Sequence, residues 1–323
     1  RARSGLDASA TEIAENPYII AELYCGEGPD DRISWSTVDR GVLPSPDVGG
    51  EPLAQMELND ARRFRALCVE HLRSEPNHTF RLSRDLIVEI MERMRRLPEW
   101  KVAEFTERYF DVDAEFLAGA LTLRGDALGL AVYLKPTFED ERLVERTLSE
   151  LAGRPDIALR RPVTATDWKS WILKADSQLA LKGGDEYTSA VQEQSDTCGR
   201  LFRRPLAVVT GQAGTGKTTV IEALVRGIRL TEGEGAEILV LAPTGKAADR
   251  AREVFENASL DRVKTVTVHS FLASFGWLND NLTFRRIGGK RATPLAVILD
   301  EASMLDLELA VALLRAADWR AVL

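Results

Sequence analysis

Hydrophobic residues recur at helical spacing through much of the first half of the chain. In residues 57–73, apolar positions such as Leu58 and Phe64 fall on one face of a helix. The same periodicity predicts three more helices, which cover residues 83–97, 98–109 and 139–151. Ser83 stands where it can cap the first of these. Pro98 stands where that helix should end, because the residue before a proline avoids helical geometry.

A strand pattern replaces the helical period at residues 121–134. Polar and apolar residues alternate before the pair Gly125-Asp126 and an apolar run follows it, which predicts a β-hairpin. Helices followed by a hairpin fit a winged-helix-like module and a plain helical accessory domain equally well, and both alternatives stay open. We therefore assign residues 1–152 to a mainly helical N-terminal accessory domain with a β-hairpin.

Short apolar runs dominate the second half of the chain. They predict strands at residues 206–210, 237–242, 265–268 and 295–300. Helical stretches separate most of these runs, so the fold class should be α/β with a mainly parallel sheet. We place this sheet domain at 191–323, after a connector over 153–190 that holds one helix at 167–181.

Composition narrows the class of protein. The chain has 323 residues, of which 45% are hydrophobic and 28% charged, as in ordinary globular proteins of two or three domains. No apolar run approaches the roughly 20 residues that a membrane span needs, so no membrane partner is expected. The 3 cysteines show neither metal spacing nor a disulfide framework, which favours a cytoplasmic location. The net charge of −8 does not indicate nucleic-acid binding, but a local basic groove can outweigh the total.

A glycine-rich segment follows the predicted strand 206–210 and precedes a helical pattern, and this is the P-loop arrangement. Glycines let the backbone wrap a phosphate chain, and the helix N-terminus adds partial positive charge there. We expect ATP as the ligand, with Lys217 at its β- and γ-phosphates and the Thr218 hydroxyl on Mg²⁺. The expected nucleotide-binding residues are Gly211, Gly214, Thr215, Gly216, Lys217, Thr218 and Thr219.

Two carboxylates end the last predicted strand. Asp300 and Glu301 follow the apolar run 295–299, and ligands of open α/β sheets bind beyond the carboxyl ends of the strands. We expect Asp300 to bind Mg²⁺ through water and Glu301 to polarise the water that attacks the γ-phosphate. A solvated strand end is the alternative interpretation.

Further segments extend the pattern beyond a nucleotide site. They are Pro243-Thr244-Gly245-Lys246, Thr265-Val266-Thr267-Val268-His269 and Asp300-Glu301-Ala302-Ser303-Met304. Together with the P-loop, in this order and spacing, they resemble the superfamily 1 DNA helicases of the RecD-like group. The resemblance implies a RecA-like first motor domain over 191–323. It also implies an ATP-dependent 5′→3′ helicase that acts on single-stranded DNA in DNA repair.

The resemblance also implies roles for individual residues. Gln194 would recognise the adenine edge, although a surface glutamine fits its position too. Thr244 and Lys246 would contact a DNA strand, or they would be a helix N-cap and a solvated lysine. Thr267 and His269 would form another strand contact, or His269 would be a core or loop histidine. A Gly-rich stretch before the acidic strand adds basic residues that fit either DNA phosphates or a solvated loop: Arg285, Arg286, Lys290 and Arg291.

The resemblance continues more weakly into the N-terminal half. Asn16-Pro17-Tyr18, Asn77-His78-Thr79 and Val132-Tyr133-Leu134 are similar to segments of the long-form RecD-like helicases, whose N-terminal region implies duplex DNA as a further partner. Two positions depart from that pattern. Asn77 stands where Gly is usual, and residues 24–40 offer only Cys25-Gly26-Glu27-Gly28 in place of a clear helix-hairpin-helix turn. These departures leave duplex contacts by that hairpin in doubt.

In this family a second RecA-like domain follows the first and supplies an arginine finger. The chain begins without Met and ends at Leu323, before such a domain, so we expect it to be a partial motor that binds nucleotide and does not unwind duplex. The alternatives are a non-helicase P-loop ATPase and a nucleotide-gated DNA-binding module, in repair or defence. The oligomeric state and the protein partners do not follow from the sequence.

Overall fold

A computed structural model describes residues 8–23, 33–48, 56–75, 78–173, 178–212, 214–260, 263–279 and 283–317. The chain divides into two compact units, Arg1–Glu141 and Arg142–Leu323. The division falls inside a helix that spans Lys135–Ala152. The three-part domain organisation given above remains a prediction.

The first unit is mainly helical. Its elements are α1 (Ala10–Glu15), α2 (Ile19–Leu23), α3 (Trp35–Val42), α4 (Ala61–Ser74), β1 (Phe80–Leu82), α5 (Ser83–Met94), α6 (Arg108–Val112), α7 (Ala114–Leu117), β2 (Leu121–Asp126), β3 (Gly129–Leu134) and the first part of α8 (Lys135–Ala152). The strands form an antiparallel sheet in the order β1-β3-β2, with Leu82 opposite Ala131 and Thr122 opposite Tyr133. This sheet confirms the hairpin predicted over 121–134.

The core of the first unit centres on α4. Phe64 is fully buried there, with the rings of Phe105, Tyr109 and Phe110 between 5.0 and 5.2 Å from its own. Offset and edge contacts of this kind stabilise aromatic clusters beyond the area that they bury. The apolar face predicted for residues 57–73 is therefore the face that organises the unit.

A buried charge cluster lies beside this core. Asp39 on α3 accepts hydrogen bonds from Arg63 Nε at 2.9 Å and from the Tyr18 hydroxyl at 2.5 Å, and Lys101 Nζ lies 3.0 Å from its second oxygen. All four side chains are almost completely buried. Buried charges need such pairing, because an isolated charge in the interior is strongly disfavoured.

The second unit contains the predicted sheet domain. Its elements after α8 are α9 (Ala165–Ile172), α10 (Gln178–Leu201, kinked at Gly184), α11 (Lys217–Glu232), β4 (Ile238–Ala242), α12 (Gly245–Asn257), β5 (Val263–Thr267), α13 (Val268–Ser274), β6 (Ala296–Leu299) and α14 (Leu307–Ala316). The strands pair in parallel in the order β5-β4-β6, which confirms the strands predicted at 237–242, 265–268 and 295–300.

The central strand β4 is buried on both faces. Ile238 and Val240 pack in one cluster with α11 and α12, whereas Leu239 and Leu241 pack in another with α13 and α14. Because successive residues of a strand point to opposite faces, an uninterrupted apolar run suits a central parallel strand with helices on both sides. The sheet and its helices therefore form the layered α/β arrangement expected from the sequence.

The strand predicted at 206–210 is wrong. These residues form no ladder with any described strand, and Val208 is 74% exposed. A strand requires a neighbouring backbone to pair its N–H and C=O groups. An apolar composition alone does not supply that neighbour.

Three other local expectations need correction. Residues 98–109 contain a short 3-10 turn, an extended stretch and α6 in place of one helix, because Ala103 and Phe105 are buried at a period of two. Ser83 does not cap α5; it lies inside the helix and its hydroxyl donates to Glu107. The connector holds two helices, α9 and α10, and α9 begins with a capping box between Thr164 and Asp167.

Candidate nucleotide and nucleic-acid site

The glycine-rich loop leads directly into helix α11. Gly214 and Gly216 have φ values of 80° and 82°, in the left-handed region that side chains with a Cβ avoid. The Thr215 hydroxyl donates to the Gln212 carbonyl at 2.9 Å, which closes the turn. The loop conformation therefore depends on glycine at two of the predicted positions. Ala213 lies outside the described residues.

Lys217 is folded back onto its own loop. Its Nζ donates to the carbonyl oxygens of Gly211 and Gln212, at 2.7 and 2.8 Å. Among the described residues, only these backbone carbonyl oxygens accept hydrogen bonds from the ammonium group. A phosphate oxygen would offer this cation a charged partner, and charge-assisted hydrogen bonds are the stronger kind.

The start of α11 presents backbone N–H donors that have no partner among the described residues. Gly216 is its N-cap and provides no side-chain bond, and no described acceptor takes up the N–H groups of Lys217, Thr218 or Thr219. These groups also carry the positive end of the helix dipole. Loop, lysine and helix start thus form a site suited to an anion such as a phosphate chain.

Gln194 reaches this loop from α10. Its Nε2 donates to the Thr215 carbonyl oxygen at 2.9 Å, and its amide lies against the Cα of Gly216. The residue predicted to recognise adenine is therefore next to the loop, in contact with its backbone. Sequence reasoning did not anticipate this contact.

Asp300 and Glu301 lie where β6 ends. The Asp300 N–H donates to the Leu241 carbonyl at 2.9 Å and so continues the pairing of β6 with β4, and its carboxylate accepts from the Glu301 N–H at 2.9 Å. Glu301 has φ 53°, a left-handed conformation that is uncommon outside glycine, and its side chain is exposed. A strained, exposed carboxylate at a strand end is a frequent feature of functional sites.

The residues proposed to contact a DNA strand lie at the same edge of the sheet as Asp300. Thr244 follows β4, Thr267 ends β5, and each caps the next helix by accepting a backbone N–H, from Ala247 at 3.3 Å and from Ser270 at 3.1 Å. Because β4, β5 and β6 are parallel, their carboxyl ends bring Thr244, Thr267 and Asp300 to one edge.

Lys246 and His269 occupy the first turns of α12 and α13. Both side chains are exposed. The His269 ring lies 5.8 Å from the ring of Phe284, a residue that sequence reasoning missed. An aromatic next to a basic pair, Phe284 before Arg285-Arg286, is the signal that could have identified it.

The basic stretch before β6 is tied to the domain by its backbone. Lys290 N–H donates to Phe275 at 2.8 Å, and Trp277 Nε1 donates to the Lys290 carbonyl at 2.7 Å. The Arg285 guanidinium donates to Asn279 at 2.9 Å. These bonds hold several cations at the surface of an otherwise acidic chain.

Three further observations concern metal ions, membranes and the N-terminal motifs. The described residues contain no cluster of three or more His, Cys, Asp or Glu side chains suited to a metal ion. None of the described helices has the length and apolar character that crossing a membrane requires. The N-terminal motif residues Cys25, Gly26, Glu27, Gly28 and Asn77 lie outside the described residues.

Comparisons with known proteins find a family model that matches part of the second unit. Residues 194–323 match a family model described as an AAA domain. The chain is 30% identical over 184 residues to an uncharacterised protein of Methanocaldococcus jannaschii, covering 54% of this chain and 15% of that protein. It is also 30% identical over 152 residues to the RecD subunit of the RecBCD enzyme of Haemophilus influenzae, covering 41% of this chain and 23% of RecD. These similarities and the loop geometry support a P-loop, helicase-like nucleotide-binding protein.

Proposed function

We propose that the chain is the N-terminal part of an ATP-dependent DNA helicase that moves 5′→3′ along single-stranded DNA and unwinds duplex. One observation supports this function over a plain ATPase. The same sheet edge carries both the acidic pair Asp300-Glu301 and the capped helix starts at Thr244 and Thr267. Nucleotide chemistry uses the acidic pair and has no need of the other two.

The nucleotide step is assigned to the loop and the acidic pair. Lys217 and the N–H groups in the first turn of α11 would hold the β- and γ-phosphates of ATP, and Lys217 would exchange its two carbonyl partners for phosphate oxygens. Glu301 would accept the proton of the water that attacks the γ-phosphate. The hydroxyl of Thr218 and the carboxylate of Asp300 are hard oxygen ligands that suit Mg²⁺, which would neutralise charge on the phosphates.

The nucleic-acid step is assigned to the helix starts. The Thr244 oxygen accepts from Ala247, which leaves its hydroxyl hydrogen to donate to a phosphate oxygen. Lys246 adds a cation two residues further on, and exposed His269 with Phe284 offers rings on which a base can stack. The expected partner is single-stranded DNA.

A binding experiment tests the nucleic-acid assignment directly. A labelled single-stranded oligonucleotide is titrated with the chain, and fluorescence anisotropy gives its affinity. His269→Ala should weaken binding by about threefold to tenfold, because stacking of one base contributes roughly 1 kcal/mol or more. Trp100→Ala is the matched control, since Trp100 is also an exposed aromatic side chain but lies in the first unit. Equal affinities of the two variants would refute the assignment.

A hydrolysis experiment tests the enzyme class. ATP hydrolysis by the native protein is measured with and without single-stranded DNA, with Lys217→Ala as the inactive control. Stimulation by DNA, followed by displacement from 5′-tailed but not 3′-tailed duplex, is the expected result. Hydrolysis that DNA does not stimulate would instead indicate a non-helicase ATPase, and DNA binding without hydrolysis a DNA-binding module.

A further inference from the structure

The contact between Gln194 and the P-loop fixes one particular peptide group. The Gln194 amide donates to the carbonyl oxygen of Thr215, and this carbonyl belongs to the peptide that joins Thr215 to Gly216. In a planar trans peptide the C=O and N–H bonds point in opposite directions. The bond therefore holds the carbonyl towards α10 and turns the Gly216 N–H away from it.

That N–H is one of the groups that a phosphate would use. Gly216 is the N-cap of α11, and its N–H has no hydrogen-bond partner among the described residues. Gly216 also has φ 82°, and an added Cβ would collide with the Gln194 amide. Glycine is thus required here both for the backbone angle and for the close approach of Gln194.

The helix that carries Gln194 packs against α11, the helix that follows the loop. Val191 and Cys198 of α10 pack with Val220 and Ala223 of α11, and all four side chains are buried. A side chain on such a frame can hold a neighbouring loop without moving itself. Gln194 therefore connects α10 to the backbone of the loop.

We infer that Gln194 is a positioning residue, which sets the Thr215–Gly216 peptide for phosphate binding whatever base the nucleotide carries. This inference rests on the proposed nucleotide-binding function of the loop. It differs from the role that family resemblance implies, which is recognition of the adenine edge. A residue that positions the loop affects the affinity for every phosphate ligand, whereas a residue that recognises the base affects the affinity for one base only.

The test compares ligands that share phosphates and differ in base. Isothermal titration with Mg²⁺ present measures the affinity of the chain for ATP, GTP and inorganic triphosphate. Gln194→Ala removes the bond, and Gln194→Met keeps an unbranched, uncharged side chain of similar length that cannot donate to a carbonyl. Both variants should bind all three ligands about fivefold to tenfold more weakly, which is the range expected for the loss of one hydrogen bond. Within each variant, the factor should be the same for the three ligands.

Controls separate this role from a general effect on folding. Gln192→Ala is matched, because Gln192 lies on the same helix, is exposed, and bonds only to Asp196 among the described residues. It should bind all three ligands like the unmodified chain, and all variants should melt at the same temperature. If Gln194→Ala does not fold, the uncharged Gln194→Met decides the test.

The experiment separates failure of the inference about Gln194 from failure of the proposed nucleotide binding. A loss confined to ATP would make Gln194 a base reader and overturn the inference, while the proposed nucleotide binding would stand. Unchanged affinity for all three ligands would show that the bond positions nothing. If the unmodified chain bound none of the three, the proposed function of the loop would be wrong and the inference with it.

Discussion

Removing the Asp39 carboxylate should destabilise the first unit more than any exposed charge change. Asp39 is 1% exposed and is bonded by Arg63, Lys101 and Tyr18, all of them buried. Asp39→Ala would leave two cations in the interior without their only described carboxylate. Tyr18 does not replace the lost charge at neutral pH, because burial raises the pKa of its hydroxyl.

The expected cost follows from this geometry. Breaking a buried ion pair by removing one partner typically costs about 3–5 kcal/mol, because the remaining charge stays buried and unpaired. Two cations share Asp39, so the upper part of that range applies. Typical domains are stable by about 5–15 kcal/mol, so the variant should lose a third or more of its stability. Backbone carbonyls bonded to Arg63 and Lys101 limit the loss.

The measurement must report on the first unit alone, since the chain has two compact units and need not unfold in one step. Hydrogen exchange of peptides from α3 and α4, followed by mass spectrometry in increasing urea, meets that need. Asp85→Ala is the control, because its ion pair with Arg84 is more than half exposed and contributes about 0–1 kcal/mol. If both variants exchanged at the same urea concentration, the stabilising role of the cluster would be refuted.

Three further predictions concern the second unit. Gly227→Ala should lower the free energy of unfolding by about 1–3 kcal/mol, because a Cβ there meets two aromatic rings. Gly235→Ala is the control and should leave the stability unchanged, because a Cβ there points into open space. Thermal unfolding of the two variants measures the difference. Thr244→Ala should lose about 1 kcal/mol by removing the cap of α12 and should also weaken DNA binding, while Thr244→Ser keeps both. Burial raises the pKa of Cys198 to about 12, so the folded thiol keeps its proton while the unfolded thiol ionises near 9. Stability should therefore fall as pH rises from about 9 to 12, and Cys198→Ala should remove that component.

Sequence patterns predicted the strands of the second unit where a neighbour was also present. The runs at 237–242, 265–268 and 295–300 became β4, β5 and β6 because each found a parallel partner. The run at 206–210 has similar composition but no described partner, and it forms no strand. Composition indicates which segments can be strands, whereas pairing depends on residues far away in the chain.

The candidate site shows the same limit at the level of single residues. Sequence patterns placed Thr244, Thr267 and Asp300 at or near the carboxyl ends of predicted strands, and parallel pairing brings those positions to one edge. The contact of Gln194 with Thr215 could not be predicted, because it depends on how α10 packs against α11. The glycine at 216 was correctly expected in the loop, but only its backbone angle was foreseeable, and not the amide that lies against it.

One backbone hydrogen bond joins the strand that leads to the proposed nucleotide residue to the strand that leads to the proposed DNA contact. Asp300 N–H donates to the carbonyl of Leu241, and Thr244 follows Leu241 by three residues at the same strand end. In the proposed function Asp300 senses the nucleotide and Thr244 holds the DNA strand, so a shift of β6 would reach the DNA contact through this bond and a few residues. Coupling through packed elements requires two arrangements of one element, and a change in the ligands of Asp300 is the local event that could select between them. In the proposed function, this hydrogen bond would connect the nucleotide residue Asp300 with the DNA contact Thr244 through adjacent parallel strands.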